Sequence, residues 1–320
     1  MSWRPNSGIA ESKARARMQG RARKYFEDQG LLEVTTPALL RTASTDPNLA
    51  SLPVNQGKRR SWLRTSPEHA MKRLLAAGYP DIFQICNVFR DDEAGRHHLA
   101  EFTMIEWYRL GYELQDIMRD TIALMTSLFA KIELANTRFV SYSEAFNEAM
   151  SIDPLATDSG AFASDLEADS DLQRALGDDR DAWLDLAMAT RVAPSFANDR
   201  LTVVHHYPAS QAALSRLCPA DDRLADRFEI FYGSLELANG FVELTEADEQ
   251  LRRFDNDMAK RVAAGMPAHG IDADLIAALR SGLPACAGVA LGLDRVLMID
   301  EGHDNIHQIT TFTPGSEDEC

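Results

Sequence analysis

Residues 83–108 read FQICNVFRDDEAGRHHLAEFTMIEWY, and the order of apolar and polar runs in this stretch indicates a pair of strands. The first run extends from Ile82 to Phe89, a polar loop follows from Asp91 to His98, and the second run extends from Phe102 to Arg109. Two apolar runs of this length joined by one charged loop predict an antiparallel hairpin. Arg90 directly follows the first strand of that hairpin.

Upstream of the hairpin, the sequence predicts a basic helix and a short strand. Residues from Ala10 to Gln29 are helix-prone and rich in Lys and Arg, and Gly30 supplies a stop signal. The strand-like segment from Leu31 to Thr36 is cut off by Pro37, and Met71 to Ala77 reads as a short helix. The basic helix is either a solvated or subunit-facing surface, which we favour, or a contact for an acidic macromolecule.

Downstream of the hairpin, helical patterns alternate irregularly with apolar runs. The pattern from Asp116 to Leu134 is helical, and Ser151 to Asp181 is acid-rich with several turn formers, which predicts a helical insertion. Leu201 to Val204 reads as a short strand, and Glu246 to Ala264 reads as a charged helix. From Gly288 to Ile299, small residues lead into an apolar helix.

The spacing of these elements indicates the fold class and the domain organisation. The strands are not separated by regular helices, as they would be in a doubly wound parallel sheet. We therefore predict an α+β fold with a mainly antiparallel sheet flanked by helices. The 320 residues form one domain, residues 1–320, with the helical insertion at about residues 115–200.

Composition limits the environment and the partners of the chain. Apolar residues make up 45% and charged residues 26%, as in ordinary globular proteins. The net charge of −16 disfavours a large nucleic-acid footprint, because such footprints need a cationic surface, so tRNA is not expected as a partner. Four cysteines without CxxC pairing suggest neither a disulfide framework nor a zinc site, and no segment reads as a signal peptide or membrane span. We expect a cytoplasmic protein.

The common nucleotide-binding motifs are missing from the sequence, so ATP would need other contacts. Arg90 is one candidate, since a guanidinium binds phosphate oxygens and stays charged at any working pH. Glu229, Glu236 and Glu243 recur every seven residues within apolar runs. They are either magnesium ligands or, as we would favour without further context, partly exposed glutamates at a sheet edge. Glu106, beside an aromatic pair, could hold an ammonium group.

The histidines do not read as metal ligands. His97 and His98 form one pair and His205 and His206 another, and neither pair has an HExxH or comparable spacing. We interpret them as polar loop or strand residues. No GxSxG turn and no Cys/His arrangement argues for a covalent nucleophile.

Three segments together resemble the signature motifs of class II aminoacyl-tRNA synthetases, in their order and spacing. Arg23 to Pro37 (RKYFEDQGLLEVTTP) resembles motif 1, a helix and strand at a dimer interface. Phe83 to Tyr108 resembles motif 2, and Gly288 to Met298 (GVALGLDRVLM) resembles motif 3. The joint occurrence is more specific than any single motif, and it implies the class II catalytic fold.

Further segments resemble the lysine-specific branch of that class, namely Thr65 to Arg73 (TSPEHAMKR), EFTMIEWY and Glu236 to Leu244 (ELANGFVEL). Because motif 1 begins almost at once, no anticodon-binding domain is expected. A core of this kind resembles the elongation factor P (R)-β-lysine ligase family, a group of lysyl-tRNA synthetase paralogues. The segments HYPASQAALS, RFEIFYGSLELANGF and GLPACAGVALGLDR look closer to that family than to full synthetases.

The resemblance implies roles for individual residues around ATP, Mg2+ and the amino acid. Arg90, Arg295 and Glu236 would be catalytic, and Glu229 and Glu236 would hold Mg2+. The residues that would bind ATP are Arg90, Asp91, Asp92, His98, Leu99, Phe102, Glu236, Leu237, Gly292 and Arg295. The residues that would line the amino-acid pocket are Ser66, Pro67, Glu68, Glu106, Tyr108, Asn239, Glu243 and Ala290. The two arginines and the two metal-binding glutamates are expected around one triphosphate.

The implied reaction is the ATP-dependent, AMP-forming activation of (R)-β-lysine, followed by transfer to a lysine ε-amine of elongation factor P. The protein would act as a homodimer, without tRNA and without a membrane. Ala290 stands where full synthetases commonly have glycine, and its methyl group would favour a β-amino over an α-amino acid. Two alternatives remain open: a stand-alone lysyl-adenylate enzyme with another acceptor, and an inactive regulatory paralogue.

Overall fold

The computed structural model describes residues 3–91 and 95–313 of the chain. The strands in chain order are β1 (Leu32–Glu33), β2 (Leu39–Leu40), β3 (Pro53–Gln56), β4 (Arg59–Leu63), β5 (Ile82–Phe89), β6 (Glu101–Leu110), β7 (Arg138–Ser141), β8 (Leu201–Pro208), β9 (Leu217–Cys218), β10 (Asp221–Tyr232), β11 (Leu235–Val242) and β12 (Cys286–Gly292). The α-helices are α1 (Ile9–Asp28), α2 (Glu68–Ala76), α3 (Leu114–Leu128), α4 (Tyr142–Met150), α5 (Ser159–Asp165), α6 (Ser170–Leu176), α7 (Arg180–Ala187), α8 (Ala247–Ala263), α9 (Ala273–Gly282) and α10 (Leu293–Asp300). Shorter helical turns are Met188–Val192, Ala193–Ser195, Ala209–Gln211 and Ile306–Gln308.

The chain divides into two compact units. The first comprises Met1–Tyr112, Ala123–Ile132 and Thr245–Cys320, and the second comprises Glu113–Ile122 and Glu133–Leu244. Strand pairing is mostly antiparallel in both units, which confirms the predicted α+β class. Among the residues that the structure describes, no helix is long and apolar enough to cross a bilayer.

In the first unit, the hairpin of β5 and β6 is the centre of the sheet. β5 also pairs in parallel with β1, and β6 pairs antiparallel with β12. Helix α1 buries one face because apolar residues recur every fourth position, at Ala14, Met18, Ala22 and Phe26. The ring of Phe26 stacks on Phe83 of β5 with centroids 4.4 Å apart. This packing covers one face of the sheet, and Gln84 and Glu106 lie on the other face.

In the second unit, β10 lies between β11 and β8, and β8 pairs in parallel with β7. A core of aromatic and aliphatic side chains, including the fully buried Phe146, Phe162 and Trp183, connects α4, α5 and α7. The acid-rich segment is helical because its aspartates begin helices. Asp158 and Asp179 accept hydrogen bonds from backbone N–H groups in the first turns of α5 and α7.

Most predicted elements agree with the observed ones, and four boundaries were wrong. Helix α2 begins at Glu68 and not at Met71. The strand predicted from Leu31 to Thr36 is reduced to β1, although Val34 still donates a backbone hydrogen bond to Phe83. The helix predicted to Leu134 ends at Leu128, because the next N–H groups bond to the Asp300 side chain instead. The strand predicted to end at Val204 continues through the histidine pair to Pro208.

Candidate active site

The face of the sheet opposite α1, in the first unit, carries most of the predicted amino-acid pocket. Side chains alternate along a strand, so Phe102, Met104, Glu106 and Tyr108 of β6 lie on one face. Glu106 is directly opposite Gln84 on β5 and Ala290 on β12. The predicted carboxylate and the predicted alanine are therefore cross-strand neighbours, which have Cβ atoms about 5 Å apart.

Glu106 lies at the centre of a hydrogen-bonded group. Its side chain is buried, with 2% exposed surface. The hydroxyl of Ser66 donates to its Oε2 at 2.8 Å, and the hydroxyl of Tyr108 donates to its Oε1 at 2.8 Å. Ser66 Oγ in turn accepts a hydrogen bond from the backbone N–H of Glu68 at 2.9 Å. The structure thus brings four of the predicted pocket residues together, with the carboxylate orientation held from both sides.

Helix α2 begins at this group and adds a partner that the sequence analysis did not assign. Pro67 caps the helix, and its carbonyl accepts a hydrogen bond from the backbone N–H of Met71 at 3.0 Å. The ammonium group of Lys72 lies 2.7 Å from Glu68 Oε1, and the Lys72 side chain is only 2% exposed. The i, i+4 spacing could have indicated this pair. Glu68 therefore forms an ion pair with a lysine of its own helix.

The end of β5 positions Arg90. Its backbone N–H donates to the Ala100 carbonyl at 2.9 Å, and its guanidinium carbon lies 5.1 Å from the centroid of the Phe102 ring. Asp91 is exposed and forms an isolated bridge with Ala50. The predicted ATP contact at Asp92 lies outside the described residues.

Arg295 projects from the first turn of α10. Its Nη2 lies 2.6 Å from Nε2 of His98, and its Nε donates to the His97 carbonyl at 3.3 Å. The structure therefore brings the predicted ATP residues Arg295 and His98 together. Leu99 is buried with 7% exposure, so its side chain belongs to the core. Gly292 is the last residue of β12, directly opposite Met104.

The described part of the loop after Arg90 is anchored by a segment near the C-terminus. Arg96 Nε donates to the Asp304 carbonyl at 2.6 Å and its Nη2 pairs with the Asp304 carboxylate. The Ile306 N–H donates to the Arg96 carbonyl at 2.9 Å. Sequence reasoning missed this contact because the partners are about two hundred residues apart and no local pattern connects them.

A group of apolar side chains lies on the same face of the sheet as Glu106. Cys86, Val88 and Met104 are buried together, and Phe102 and Ala290 pack against them. Burial raises the pKa of the Cys86 thiol to about 12. The thiol therefore stays protonated and acts as an apolar side chain.

In the second unit, Glu229 is held by two donors. The hydroxyl of Tyr207 donates to Glu229 Oε2 at 2.7 Å, and Arg227 Nη2 donates to Oε1 at 2.6 Å. The Arg227 guanidinium also lies 4.6 Å from the centroid of the Tyr207 ring. Burial, with a contribution from Glu229, raises the pKa of Tyr207 well above its ordinary value, so the hydroxyl remains a donor.

A β-bulge brings the second predicted metal ligand to the same face. Ile230 pairs with Ala238, but Phe231 pairs with Glu236, so Leu237 is the extra residue. The bulge shifts the alternation by one, and Glu236 then lies on the face of β10 that carries Glu229. The carboxylate of Glu236 also raises the pKa of Arg227, as Glu229 does more strongly.

Asn239 and Glu243 follow on the same strand segment. Asn239 is directly opposite Glu229, and its buried Oδ1 has no hydrogen-bond partner in the described part of the chain. Glu243 is 3% exposed and forms a bridge with Ser215. A buried amide oxygen without a donor suits a ligand that brings N–H groups.

The predicted residues thus form ordered groups within each unit. Arg90 and Arg295 belong to the first unit, and Glu229 and Glu236 belong to the second. The expectation that all four surround one triphosphate stays a prediction. Arg227 and Tyr207, which orient Glu229, were missed, although an arginine two residues before a buried glutamate on a strand is a usable signal.

Comparison with known proteins gives a consistent result. The family model for class II tRNA synthetases (D, K and N) matches residues 3–315. A Pasteurella multocida protein named elongation factor P–(R)-β-lysine ligase is 40% identical over 317 residues, covering 97% of both chains. Proteins of the same name from Klebsiella pneumoniae and Sodalis glossinidius are 41% and 42% identical, covering 98% and 97% of this chain and 97% of theirs. By both measures, this chain belongs to the class II tRNA synthetase family and, within it, to the elongation factor P (R)-β-lysine ligases.

Proposed function

We propose that this protein uses ATP to activate (R)-β-lysine as an adenylate and transfers the β-lysyl group to a lysine ε-amine of elongation factor P. The observation that carries the proposal is the buried carboxylate of Glu106, held by Ser66 and Tyr108 directly opposite Ala290, in a chain of this family. A buried carboxylate of this kind is suited to an ammonium group of the substrate.

At the amino-acid end, Glu106 binds one ammonium group, while Ser66 and Tyr108 fix the direction of its oxygens. We propose that Asn239 and Glu243 also bind the amino acid, with the Asn239 amide oxygen accepting an N–H group of the substrate. Glu68 and Pro67 complete the lining, and Lys72 keeps Glu68 in place. The methyl group of Ala290 narrows the space beside Glu106, which favours the displaced amine of a β-amino acid.

At the phosphate end, Arg90 and Arg295 hold the triphosphate and Phe102 stacks on the adenine ring. The remaining ATP contacts that we propose among the described residues are Asp91, His98, Leu237 and Gly292. The ionised carboxylate of the amino acid attacks the α-phosphorus and expels pyrophosphate, so no general base is required. The two guanidinium groups stabilise the negative charge that develops on the phosphate oxygens.

The carboxylates of the second unit fit a magnesium ion. Glu229 and Glu236 present oxygen ligands on one face of β10 and β11. The negative charges of both carboxylates raise the pKa of Arg227. Each Glu229 oxygen accepts one hydrogen bond and retains a lone pair. Magnesium bound there would neutralise phosphate charge. Glu236 is the more accessible of the two carboxylates.

In the transfer step, the acceptor amine attacks the acyl carbonyl of the adenylate and releases AMP. The amine loses a proton on the way, either to solvent or to a basic group of the complex. We propose that the chain works in the cytoplasm as a homodimer and without tRNA.

Pyrophosphate exchange tests the first step. We expect exchange with (R)-β-lysine to exceed exchange with α-lysine, because Ala290 narrows the pocket. The Ala290→Gly variant should reduce this preference by about tenfold, since one methyl group in a pocket contributes about 1.4 kcal/mol. Absence of exchange with either isomer would identify an inactive paralogue and contradict the proposal.

Transfer of labelled β-lysine tests the second step. Radioactive acyl group should appear on elongation factor P and not on tRNA when both acceptors are present. A variant of elongation factor P with its acceptor lysine replaced by arginine is the matched control. Labelling of tRNA instead would support the alternative of a stand-alone lysyl-adenylate enzyme with another acceptor.

A further inference from the structure

Three side chains that the reaction does not use meet at one end of the second unit. His206 lies on β8, Cys218 on β9 and Asp226 on β10. Their ligand atoms all lie within 4.8 Å of one another. In the described part of the chain, no other group of three or more histidine, cysteine or carboxylate side chains brings its ligand atoms this close together. The ligands come from three strands, so no sequence spacing could reveal them.

A β-bulge lies between β8 and β10 at this group of side chains. His205 pairs with Phe228, and Tyr207 pairs with Ala225, so two residues of β10 lie opposite His206. His206 itself has a φ of 59° in the left-handed region, which disfavours residues other than glycine. The strain costs about 1 kcal/mol or more and is retained at a bulge.

Two of the three side chains, His206 and Asp226, have orienting partners. His205 Nδ1 lies 2.7 Å from His206 Nδ1, which leaves the Nε2 of His206 facing Asp226. Arg216 Nε donates to Asp226 Oδ2 at 2.8 Å, which leaves Oδ1 facing His206. Arg216 also pairs with Glu113, so its own charge is balanced. Histidine and carboxylate ligands in metal sites are characteristically fixed by such outer hydrogen bonds.

The distance between His206 and Asp226 is too long for a hydrogen bond and close to the distance between two ligands of one metal ion. His206 Nε2 and Asp226 Oδ1 are 3.9 Å apart. Two ligands at about 2.1 Å from one tetrahedral ion lie about 3.4 Å apart, so a shift of about 0.5 Å would bring this pair to coordination distance. We propose that His206, Cys218 and Asp226 bind a transition-metal ion of borderline softness, such as Zn2+, with water as the fourth ligand.

The set of ligands selects the class of ion. A thiolate and an imidazole favour Zn2+ or Co2+ over Mg2+, which prefers oxygen ligands. Binding converts the Cys218 thiol to a thiolate and releases its proton to solvent. The ion would join β8, β9 and β10 just before Arg227, the residue that orients Glu229, and would stabilise that end of the unit. The site is separate from the magnesium carboxylates and does not depend on the proposed reaction.

Cobalt is a suitable probe because a cysteine ligand gives it a thiolate charge-transfer absorption band. Full-length protein is titrated with Co2+ in excess Mg2+, which keeps oxygen-only sites occupied. We expect about one Co2+ per chain with that band, displaced by Zn2+, and a rise in melting temperature with Zn2+. The Cys218→Ser variant should lose the band and bind at least about tenfold more weakly, whereas Cys320→Ser should behave as the parent protein does.

The His206→Gly variant separates metal binding from simple structural roles. Glycine accepts the positive φ without strain, so the metal-free protein should be as stable as the parent or more stable. The same variant should lose the rise in melting temperature caused by Zn2+. Co2+ binding without the band, or binding that persists in Cys218→Ser and His206→Gly, would show an adventitious ion only and overturn the proposal.

Discussion

Among the charged side chains of the proposed pocket, Glu106 is the most deeply buried, and its two oxygens each accept a hydrogen bond from a hydroxyl group. The Glu106→Gln variant keeps the shape of the side chain and removes its charge. We expect kcat/KM for the amino acid to fall by about 100-fold, because a buried charge pair with a substrate ammonium contributes about 3 kcal/mol. Pyrophosphate exchange at varied amino-acid and ATP concentrations measures this.

The control for Glu106→Gln is the KM for ATP, which shows whether the variant affects only the amino-acid substrate. The KM for ATP should change by less than about threefold, because the phosphate contacts are assigned to other residues. Tyr108→Phe, which removes one hydrogen bond to the carboxylate, should have a smaller effect of about tenfold. Equal losses toward both substrates would contradict the assignment of Glu106 to the amino acid.

Asp257 on α8 is a half-buried carboxyl with an altered titration. Burial, with the nearby charge of Asp46, raises the pKa of Asp257 from 3.8 to about 6. The native carboxyl binds its proton more tightly than the unfolded chain does. The contribution of this carboxyl group to the free energy of unfolding is therefore fully present below pH 3.8 and is lost as the pH rises to about 6. Lys260 and Arg253 offset part of this effect.

Asp257→Asn should remove that loss. The variant should be more stable than the parent at about pH 7.5. This gain in free energy of unfolding should exceed the gain at about pH 4.5 by about 1 kcal/mol, after allowance for solvent screening. Urea unfolding at the two pH values measures the difference, and Asp255→Asn on the exposed side of the same helix is the matched control. A gain that is the same at both pH values would contradict the role of the Asp257 charge.

At the scale of elements, the end of α3 is attached to α10 through one carboxylate. Asp300 Oδ1 accepts the backbone N–H groups of Ala130 and Lys131 at 2.9 and 2.8 Å, and Asp300 is 3% exposed. Asp300→Ala should lower the free energy of unfolding by about 2 to 4 kcal/mol, because two N–H groups lose their acceptor. Denaturant unfolding of the purified variant measures the loss.

The neighbouring Glu301 provides the control for Asp300. It pairs with the half-exposed Lys131, so Glu301→Ala should cost less than about 1 kcal/mol. Asp300→Asn keeps one acceptor oxygen and should fall between the two variants. If Asp300→Ala were no more destabilising than Glu301→Ala, the two hydrogen bonds would not hold the end of α3.

Regular elements could be predicted because their information is local. The hairpin of β5 and β6 was predicted within one residue at either end, since apolar runs and a charged loop specify it. The bulges at Leu237 and His206 could not be predicted, because they arise from pairing between distant strands. The contact of Ser66 with Glu106 is likewise non-local, and only the family resemblance placed these residues in one pocket.

For the whole molecule, net charge bears on the choice of acceptor. With a net charge of −16, the chain should bind tRNA weakly, and the affinity should change little between about 50 mM and about 200 mM salt. Filter binding with radioactive tRNA measures this. A steep fall in affinity with salt would reveal several phosphate contacts and would favour a tRNA acceptor. Heparin, a generic polyanion, is the control ligand.

Each compact unit contains one fully buried tryptophan, Trp107 in the first and Trp183 in the second. Replacing the other tryptophans by phenylalanine leaves a single fluorophore inside one chosen core. Emission would then report the melting of that unit alone, and two such proteins would show whether the units lose structure at one temperature or in succession.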